Sequence, residues 1–512
     1  MNLTPIARPA LVALARRSDN WTENGPEIQL LQLRSLLRRA AHTEMGRLYG
    51  FSDLARMRDP RAEFARRVPL RSFEDIRRDV MRMIAGQQDI LWPGVCRHFA
   101  QSSGTSGGKS KYIPITDDSL HRCHYRGAAY SVAHYLRINP RSRMFSGKGL
   151  ILGGSFANEL NLPNPDVKVG DLSATLIDRI NPVANMFRIP DRKTALLPDW
   201  RQKLPAIVKA SVNANVTNIS GVPSWFLTLL RNVMAEKGVE TISEVWPNLE
   251  VFFHGGISFE PYREIYRAIT DPEKMHFMET YNASEGFFAV QDRHEPGPLL
   301  LLLDNDIYYE FIDVEDPEAT PVGIEGLDIG KVYEMVITSS SGLWRYRIGD
   351  TVRIESLAPV RIRIAGRTSS FINAFGEELM QDNADRGIAE ACQEHDAEVE
   401  NYTVAPVFAS GKRRGRHQWL IEWIREPKDH EAFAISLDKS LRRLNSDYDA
   451  KRNNTIFLDP PEIVTIPRGT FDRWLATVGN RKLGGQKKIP RLANDRHVAD
   501  AVLALASEVK SV

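Results

Sequence analysis

Apolar side chains recur at helical spacing over residues 27–48, where Leu30, Leu31, Leu33, Leu36 and Leu37 are interleaved with arginines. The pattern predicts an amphipathic helix with a solvated basic face. Helical patterns also occupy 119–138 and 201–236, and residues 60–100 read as helices and connectors. From about residue 250 short strand-like runs take over. One, 250–254, ends at Gly255-Gly256, and another, 275–278, leads into Thr280-Tyr281. Residues 299–314 predict a hairpin around Asp304-Asn305-Asp306, and further β segments fall at 331–338, 343–354 and 361–367. After about residue 376 the pattern restarts: helix 378–395, strands near 400–409 and 417–424, helix 429–446, strand 462–467, helix 470–476. This order predicts an α/β fold with a large multi-sheet N-terminal domain, 1–375, and a small α/β C-terminal domain, 376–512.

At 512 residues the chain exceeds a single core, and length alone suggests about three units. A net charge of +2 leaves no electrostatic footprint for nucleic acid, despite many arginines. Cys96, Cys123 and Cys392 stand far apart, with neither metal-ligand nor disulfide-framework spacing, and point to a reducing compartment. No apolar run approaches the roughly 20 residues of a membrane span. The N-terminus lacks the long apolar region of a secretory signal. The expectation is a cytoplasmic, monomeric enzyme of small molecules, with no nucleic-acid or membrane partner.

Candidate chemistry begins at 101–116, QSSGTSGGKSKYIPIT. Ser102, Ser103 and Thr105 supply hydroxyls, the glycines expose backbone N–H groups, and Lys109 and Lys111 bring positive charge. Such a loop suits a polyphosphate. It misses the Walker A pattern by one residue, Ser103 standing where the first glycine belongs, and the segment after it is strand-like rather than helical. The bland alternative is a flexible Ser/Gly surface loop.

Three further motifs follow. Residues 280–286, TYNASEG, place an aromatic, a hydroxyl and a carboxylate on what should be an exposed turn. Tyr281 is suited to stack on a purine, Ser284 supplies the hydroxyl, and Glu285 is suited to Mg²⁺, which takes one or two carboxylates together with phosphate oxygens; an ordinary turn stopped at Gly286 is the competing reading. In WRYRIGD, 344–350, Gly349 permits a sharp turn that points Asp350 outward from a strand end, where it can accept both hydroxyls of a ribose; an ordinary β-turn is the competing reading. Arg345 and Arg347 share a side of that strand, as phosphate contacts or as a solvated face. In HGGIS, 254–258, Gly255 and Gly256 let a flat ring lie against backbone. Neither a G-x-S-x-G elbow nor an H-E-x-x-H motif occurs.

Together these motifs resemble the adenylate-forming superfamily of acyl-CoA synthetases, luciferases and adenylation domains. SSGTSGGKSK resembles its phosphate loop, TYNASEG its adenine and Mg²⁺ motif, and YRIGD its ribose aspartate. Residues 366–376, which include Arg367, match the spacing of its interdomain segment. The closer resemblance is to the Gretchen Hagen 3 (auxin-responsive promoter) family of acyl-acid amido synthetases. It is carried by SSGTSGGKSKYIPIT, the lead-in Arg67-Val68-Pro69-Leu70 with Phe73-Glu74-Asp75-Ile76, Phe99-Ala100 and the late Gly469-Thr470-Phe471, over about residues 40–492.

The resemblance implies that Ser102, Ser103 and Thr105 hold ATP phosphates, Gly255, Gly256 and Tyr281 frame adenine, and Asp350 holds ribose. Ser284 and Arg367 join the ATP site, and Glu285 serves Mg²⁺. It implies that QKKIPR, 486–491, delivers a catalytic lysine, Lys488 with Lys487 as the neighbouring alternative, from a C-terminal domain that rotates between half-reactions. The reaction implied is adenylation of a carboxylic acid by ATP, then acyl transfer to an amino acid; the alternative is a CoA or carrier-protein thiol as acceptor. Ser369 stands where superfamily relatives commonly carry an acidic hinge residue, and the chain is shorter than plant members of the closer family. For the acid pocket, Tyr125, Tyr130 and His134 and residues 222–226 are candidate walls, and Arg122 or Arg126 a candidate carboxylate partner, with the protein core as the competing destination of those aromatics.

Overall fold

The structure is a computed structural model that describes residues 2–102, 111–156, 162, 164–256, 259, 262–294, 296–367, 371–372, 374, 379–407, 415–445, 448–449, 452, 458–477, 489–493 and 495–509. The chain divides into two compact units. The larger is made of Met1–Ile257 and Ile265–Arg363; the smaller is made chiefly of Ile364–Leu483 and Lys487–Val512, with Ser258–Glu264.

In the larger unit β1 (His98–Ser102) pairs antiparallel with β2 (Lys111–Pro114). The main sheet draws on β3 (Lys148–Ile151), while β4 (Lys168–Gly170) runs parallel to β1 in the small sheet. Next come β5 (Arg188–Ile189), β6 (Val216–Gly221), β7 (Val251–Gly255), β8 (His276–Ala283) and β9 (Gly286–Val290). They are followed by β10 (Leu299–Leu301), β11 (Ile307–Asp313), β12 (Val332–Ser339), β13 (Leu343–Leu357) and β14 (Val360–Arg367). The resulting 11-stranded sheet has the order β11-β12-β13-β14-β10-β9-β8-β7-β6-β3-β5. Strands β5, β3, β6, β7 and β8 are parallel, and from β8 onward the pairing turns antiparallel through β9 and β10. The parallel part reads as the apolar run Val251-Phe252-Phe253, buried as a strand covered on both faces requires.

Three sequence expectations change here. The helix expected over 27–48 runs Trp21–Arg39, and a separate one, Glu44–Tyr49, starts behind the N-cap Thr43, whose hydroxyl accepts the Gly46 amide at 2.9 Å. The helical stretch 201–236 is two helices, Trp200–Ser211 and Pro223–Lys237, separated by β6. Six residues of strand between strong helix formers leave little local periodicity, and pairing with β3 and β7 decides the outcome.

The hairpin expected over 299–314 does not form. β10 lies between β9 and β14, whereas β11 is the sheet edge beside β12. The polar link between them is buried, because cations from elsewhere neutralise it: Arg126 and Arg17 meet Asp304 at 2.5 and 3.1 Å, and Arg39 pairs with Asp306.

The smaller unit has β15 (Phe371–Ile372) paired with β16 (Leu379–Met380), and a sheet of β17 (Glu398–Val407), β18 (Arg416–Arg425) and β19 (Glu462–Thr465). Successive residues of β18 serve opposite faces. Trp419 and Ile421 join Ile388 and Leu437 of the helices Gln381–Glu394 and His430–Leu444. Leu420 meets Phe471 and Val502 of the helices Thr470–Thr477 and His497–Val509, the last of which the sequence pattern does not announce.

Candidate active site

The carboxyl ends of parallel strands are where open α/β sheets bind ligands, and Gly255 and Gly256 after β7, Tyr281 on β8 and, through Tyr281, Asp350 lie at that edge. β7 ends at Gly255. A Cβ on Gly255 would lie 2.4 Å from the Thr280 carbonyl oxygen, so only glycine lets β7 and β8 approach this closely. Gly256 follows at φ +84°, in the left-handed region. The Thr280 hydroxyl donates to the His254 carbonyl at 3.1 Å, and His254 itself is a buried residue tilted against Phe252.

Tyr281 follows on β8. Its hydroxyl donates to Asp350 Oδ2 at 2.6 Å, and its ring rests on Phe288 at 4.9 Å between centroids. The chain then turns through Ser284-Glu285 into β9, with Ala283 opposite Gly286. Glu285 is only 5% exposed, so the turn is not the exposed one that composition suggests. Gly286 fits because a Cβ there would come within 2.9 Å of Ile307 and Phe288.

Asp350 also differs from expectation. β13 continues past it to Leu357. Glu334 pairs with Thr351 and Val336 with Arg347, so the single residue Met335 faces Ile348, Gly349 and Asp350. Gly349, at φ +80°, is the pivot of a bulge inside a long strand. The bulge re-aims Asp350, which is buried and met by Tyr281.

Arg345 and Arg347 both have carboxylate partners. Arg345 is buried, pairs with Glu310 at 2.9 Å and donates to the carbonyls of Ala65 and Val68 at 2.8 and 2.9 Å. It thereby pins the Arg67-Val68-Pro69-Leu70 lead-in to the sheet. Arg347 pairs with Glu334 at 2.5 Å.

Ser102 ends β1 opposite Lys111, and Arg367 ends β14. Ser103, Thr105, Lys487, Lys488 and Ser369 lie outside the described residues. Of the acid-pocket candidates, Tyr130 and His134 are core: Tyr130 donates to Asp304 at 2.8 Å, and burial pushes His134 down to about 4. Tyr125 donates to the Leu176 carbonyl at 2.8 Å, Arg126 is held by Asp304, Arg122 by Asp118 at 3.0 Å, and Phe226 packs on Phe252.

Sequence reasoning missed Lys203. This fully buried ammonium donates to the carbonyls of Gly153 and Gly154, just past the carboxyl end of β3, at 2.5 and 3.0 Å. Burial pushes it down to about 8. Asp171 accepts the Ser155 amide at 2.9 Å, and the Ser173 hydroxyl accepts that of Gly154 at 2.9 Å. The loop after β3 is thus held by side chains on both its carbonyls and its amides. A lone lysine in a helix carries no sequence signal for this.

The oxygen donor of Glu285 is of the hard kind that Mg²⁺ prefers, and one such carboxylate is what a phosphate-bound Mg²⁺ takes from protein. The residues at this edge therefore fit a nucleotide with its cation.

Comparison with known proteins identifies the family. The GH3 family N-terminal domain matches residues 15–275, its central domain 300–367 and its C-terminal domain 382–497. Indole-3-acetic acid-amido synthetase GH3.4 of Arabidopsis thaliana is 23% identical, over 95% of this chain and 92% of its own. Indole-3-acetic acid-amido synthetase GH3.8 of Oryza sativa subsp. indica is 24% identical, over 92% and 89%. Among solved structures, GH3.15 acyl acid amido synthetase superposes with a TM-score of 0.77 at 19% identity, over 96% of each chain. A 2-hydroxyisobutyryl-CoA ligase in its postadenylation state superposes at 0.60 with 13% identity, over 94% of this chain and 92% of that one. With three family domains in order along its length, the chain belongs to the GH3 family.

Proposed function

We propose that this chain is an ATP-dependent acyl-acid amido synthetase. The observation that carries the reading is the 2.6 Å bond between Tyr281 and Asp350, which joins the adenine motif to the ribose motif at the carboxyl edge of the parallel strands. In the first half-reaction a carboxylate oxygen of the acid attacks the α-phosphorus of ATP, forming the acyl-adenylate and releasing pyrophosphate. In the second, the amine of an amino acid attacks the acyl carbon, the amide forms, and AMP leaves.

The chain's own groups have separable tasks. Gly255 and Gly256 let adenine approach the backbone, and the Tyr281 ring forms a wall of that site. Asp350, oriented by the Tyr281 hydroxyl, accepts the ribose hydroxyls. Ser102, Ser103 and Thr105 contact phosphates, and Ser284 and Arg367 join the ATP site. Glu285 would hold Mg²⁺, which supplies charge neutralisation where two anions must meet. Lys488 supplies a further cation to the developing charge. In this reading 1–375 bind ATP and acid, 376–512 form the mobile lysine-bearing domain, and the protein is a cytoplasmic monomer. The three free cysteines, two buried and one half-buried, support a reducing compartment.

The test is acid-dependent exchange of labelled pyrophosphate into ATP. Indole-3-acetic acid and jasmonic acid head the panel because relatives are named for indole-3-acetic acid and for jasmonoyl conjugates. No exchange with any acid sinks the reading. Product masses with mixed amino acids against CoA then identify the acceptor: an amide supports it, and a thioester replaces it with the thiol alternative.

A further inference from the structure

β9 extends beyond its neighbour. β10 pairs with β9 at Val290 and Ala289 only, and the last ladder bond on that edge runs from the Leu302 amide to the Phe288 carbonyl at 2.8 Å. Phe287, two residues after Glu285, therefore has no strand partner on that side. Unpaired buried backbone groups are costly, and here two side chains take the missing strand's place. Cys123 Sγ accepts the Phe287 amide at 3.2 Å, and Asn305 Nδ2 donates to the Phe287 carbonyl at 2.8 Å. Asn305 Nδ2 also donates to the Cys123 carbonyl at 3.1 Å, closing the set. Because two of the Asn305 contacts are carbonyl oxygens, which only accept, its nitrogen must face them.

The surrounding fold serves this contact. Cys123 lies in a π-helical turn, Leu120–His124, which interrupts the α-helical register just before Tyr125–Ile138. Gly127 lets that helix approach: a Cβ there would stand 2.3 Å from Phe287 Cγ. Asn305 is completely buried between Asp304 and Asp306, each held by arginines. Burial pushes the Cys123 thiol up to about 12, so it stays a neutral acceptor.

We infer that Cys123 and Asn305 are positioning residues: by holding both backbone polar groups of Phe287 they fix the Ser284-Glu285 turn and so the carboxylate assigned to Mg²⁺. The inference rests on the proposed role of Glu285. Outer partners that orient a metal-binding carboxylate commonly matter to metal affinity by 10–100-fold.

The experiment compares Cys123→Ala, Cys123→Ser, Asn305→Ala and Glu285→Gln. One readout is amide hydrogen exchange of the ligand-free protein over residues 284–288. The other is the Mg²⁺ concentration giving half-maximal pyrophosphate exchange at fixed ATP. Cys123→Ala and Asn305→Ala should speed amide exchange in that segment and raise the Mg²⁺ requirement about tenfold, while Cys123→Ser, which keeps an acceptor, stays near wild type. If Glu285→Gln raises the Mg²⁺ requirement but Cys123→Ala and Asn305→Ala change neither readout, the positioning role is overturned and the role of Glu285 survives. If Glu285→Gln leaves the requirement unchanged, that role falls and the inference with it. Should Asn305→Ala be recovered unfolded, the Cys123→Ala and Cys123→Ser pair decides alone.

Discussion

Tyr281 and Asp350 are 69 positions apart and share a 2.6 Å hydrogen bond in a buried setting. The bond orients the carboxylate that the proposed mechanism assigns to ribose. Tyr281→Phe keeps the ring and removes the donor. A hydrogen bond to a charged group contributes about 1.5–3 kcal/mol, so the KM for ATP in pyrophosphate exchange should rise roughly tenfold. Asp350→Asn should exceed that. An unchanged KM in Tyr281→Phe would show that the bond plays no part in nucleotide binding.

Lys488→Ala should lower adenylation by about 100-fold or more while ATP binding, read by calorimetry, stays close to wild type, because a cation meeting developing charge acts mainly in the transition state. Lys487→Ala is the comparison. A large loss in Lys487→Ala with none in Lys488→Ala moves the role one residue back.

Arg345→Met strands Glu310 in the interior. Burial already pushes the Glu310 carboxyl up despite its arginine partner. Breaking such a pair costs about 3–5 kcal/mol, and the carbonyls of Ala65 and Val68 lose their hydrogen bonds from Arg345 as well. Chemical denaturation followed by tryptophan fluorescence should show an earlier transition for the larger unit. A wild-type midpoint would mean the pair is dispensable.

Glu422 gives a pH signature in the smaller unit. It accepts the Phe471 amide at 2.8 Å, and burial raises its carboxyl from 4.5 to about 7. Between those values the unfolded chain loses its proton first, so stability falls as pH rises from about 4.5 to 7, by up to about 3 kcal/mol. Glu422→Gln keeps an acceptor and removes the titration. Its melting temperature should gain on wild type progressively across that window; parallel profiles would refute the assignment.

Lys203→Met leaves two buried carbonyls without donors, at about 1–3 kcal/mol of stability. The folded ammonium, at about 8, gives up its proton before the unfolded one at 10.5, so this lysine's contribution should grow as pH rises between those values. Thermal melts of wild type and variant across that range check both points.

The sequence by itself determined the candidate chemistry. Phosphate, adenine, ribose and Mg²⁺ each need particular residue types within a few neighbouring positions, so QSSGTSGGKSK, HGG, TYNASEG and RIGD were legible one by one. It also determined most elements of the smaller unit, where long periodic helices alternate with well-separated strands. Tertiary structure decided what depends on partners distant in the chain. β6 exists because β3 and β7 flank it. Asp304-Asn305-Asp306, which resembles a hairpin turn, is a buried crossing because arginines reach it. Arg345, on the same strand as Asp350, is an internal clamp because Glu310, two strands away on β11, pairs with it. The bulge at Gly349 turns Asp350 toward Tyr281 through a register mismatch between β12 and β13. Local sequence carries backbone preference and chemical type; burial, pairing and charge compensation come from residues scores of positions away, and those set how each carboxylate is held and which arginine is a strut.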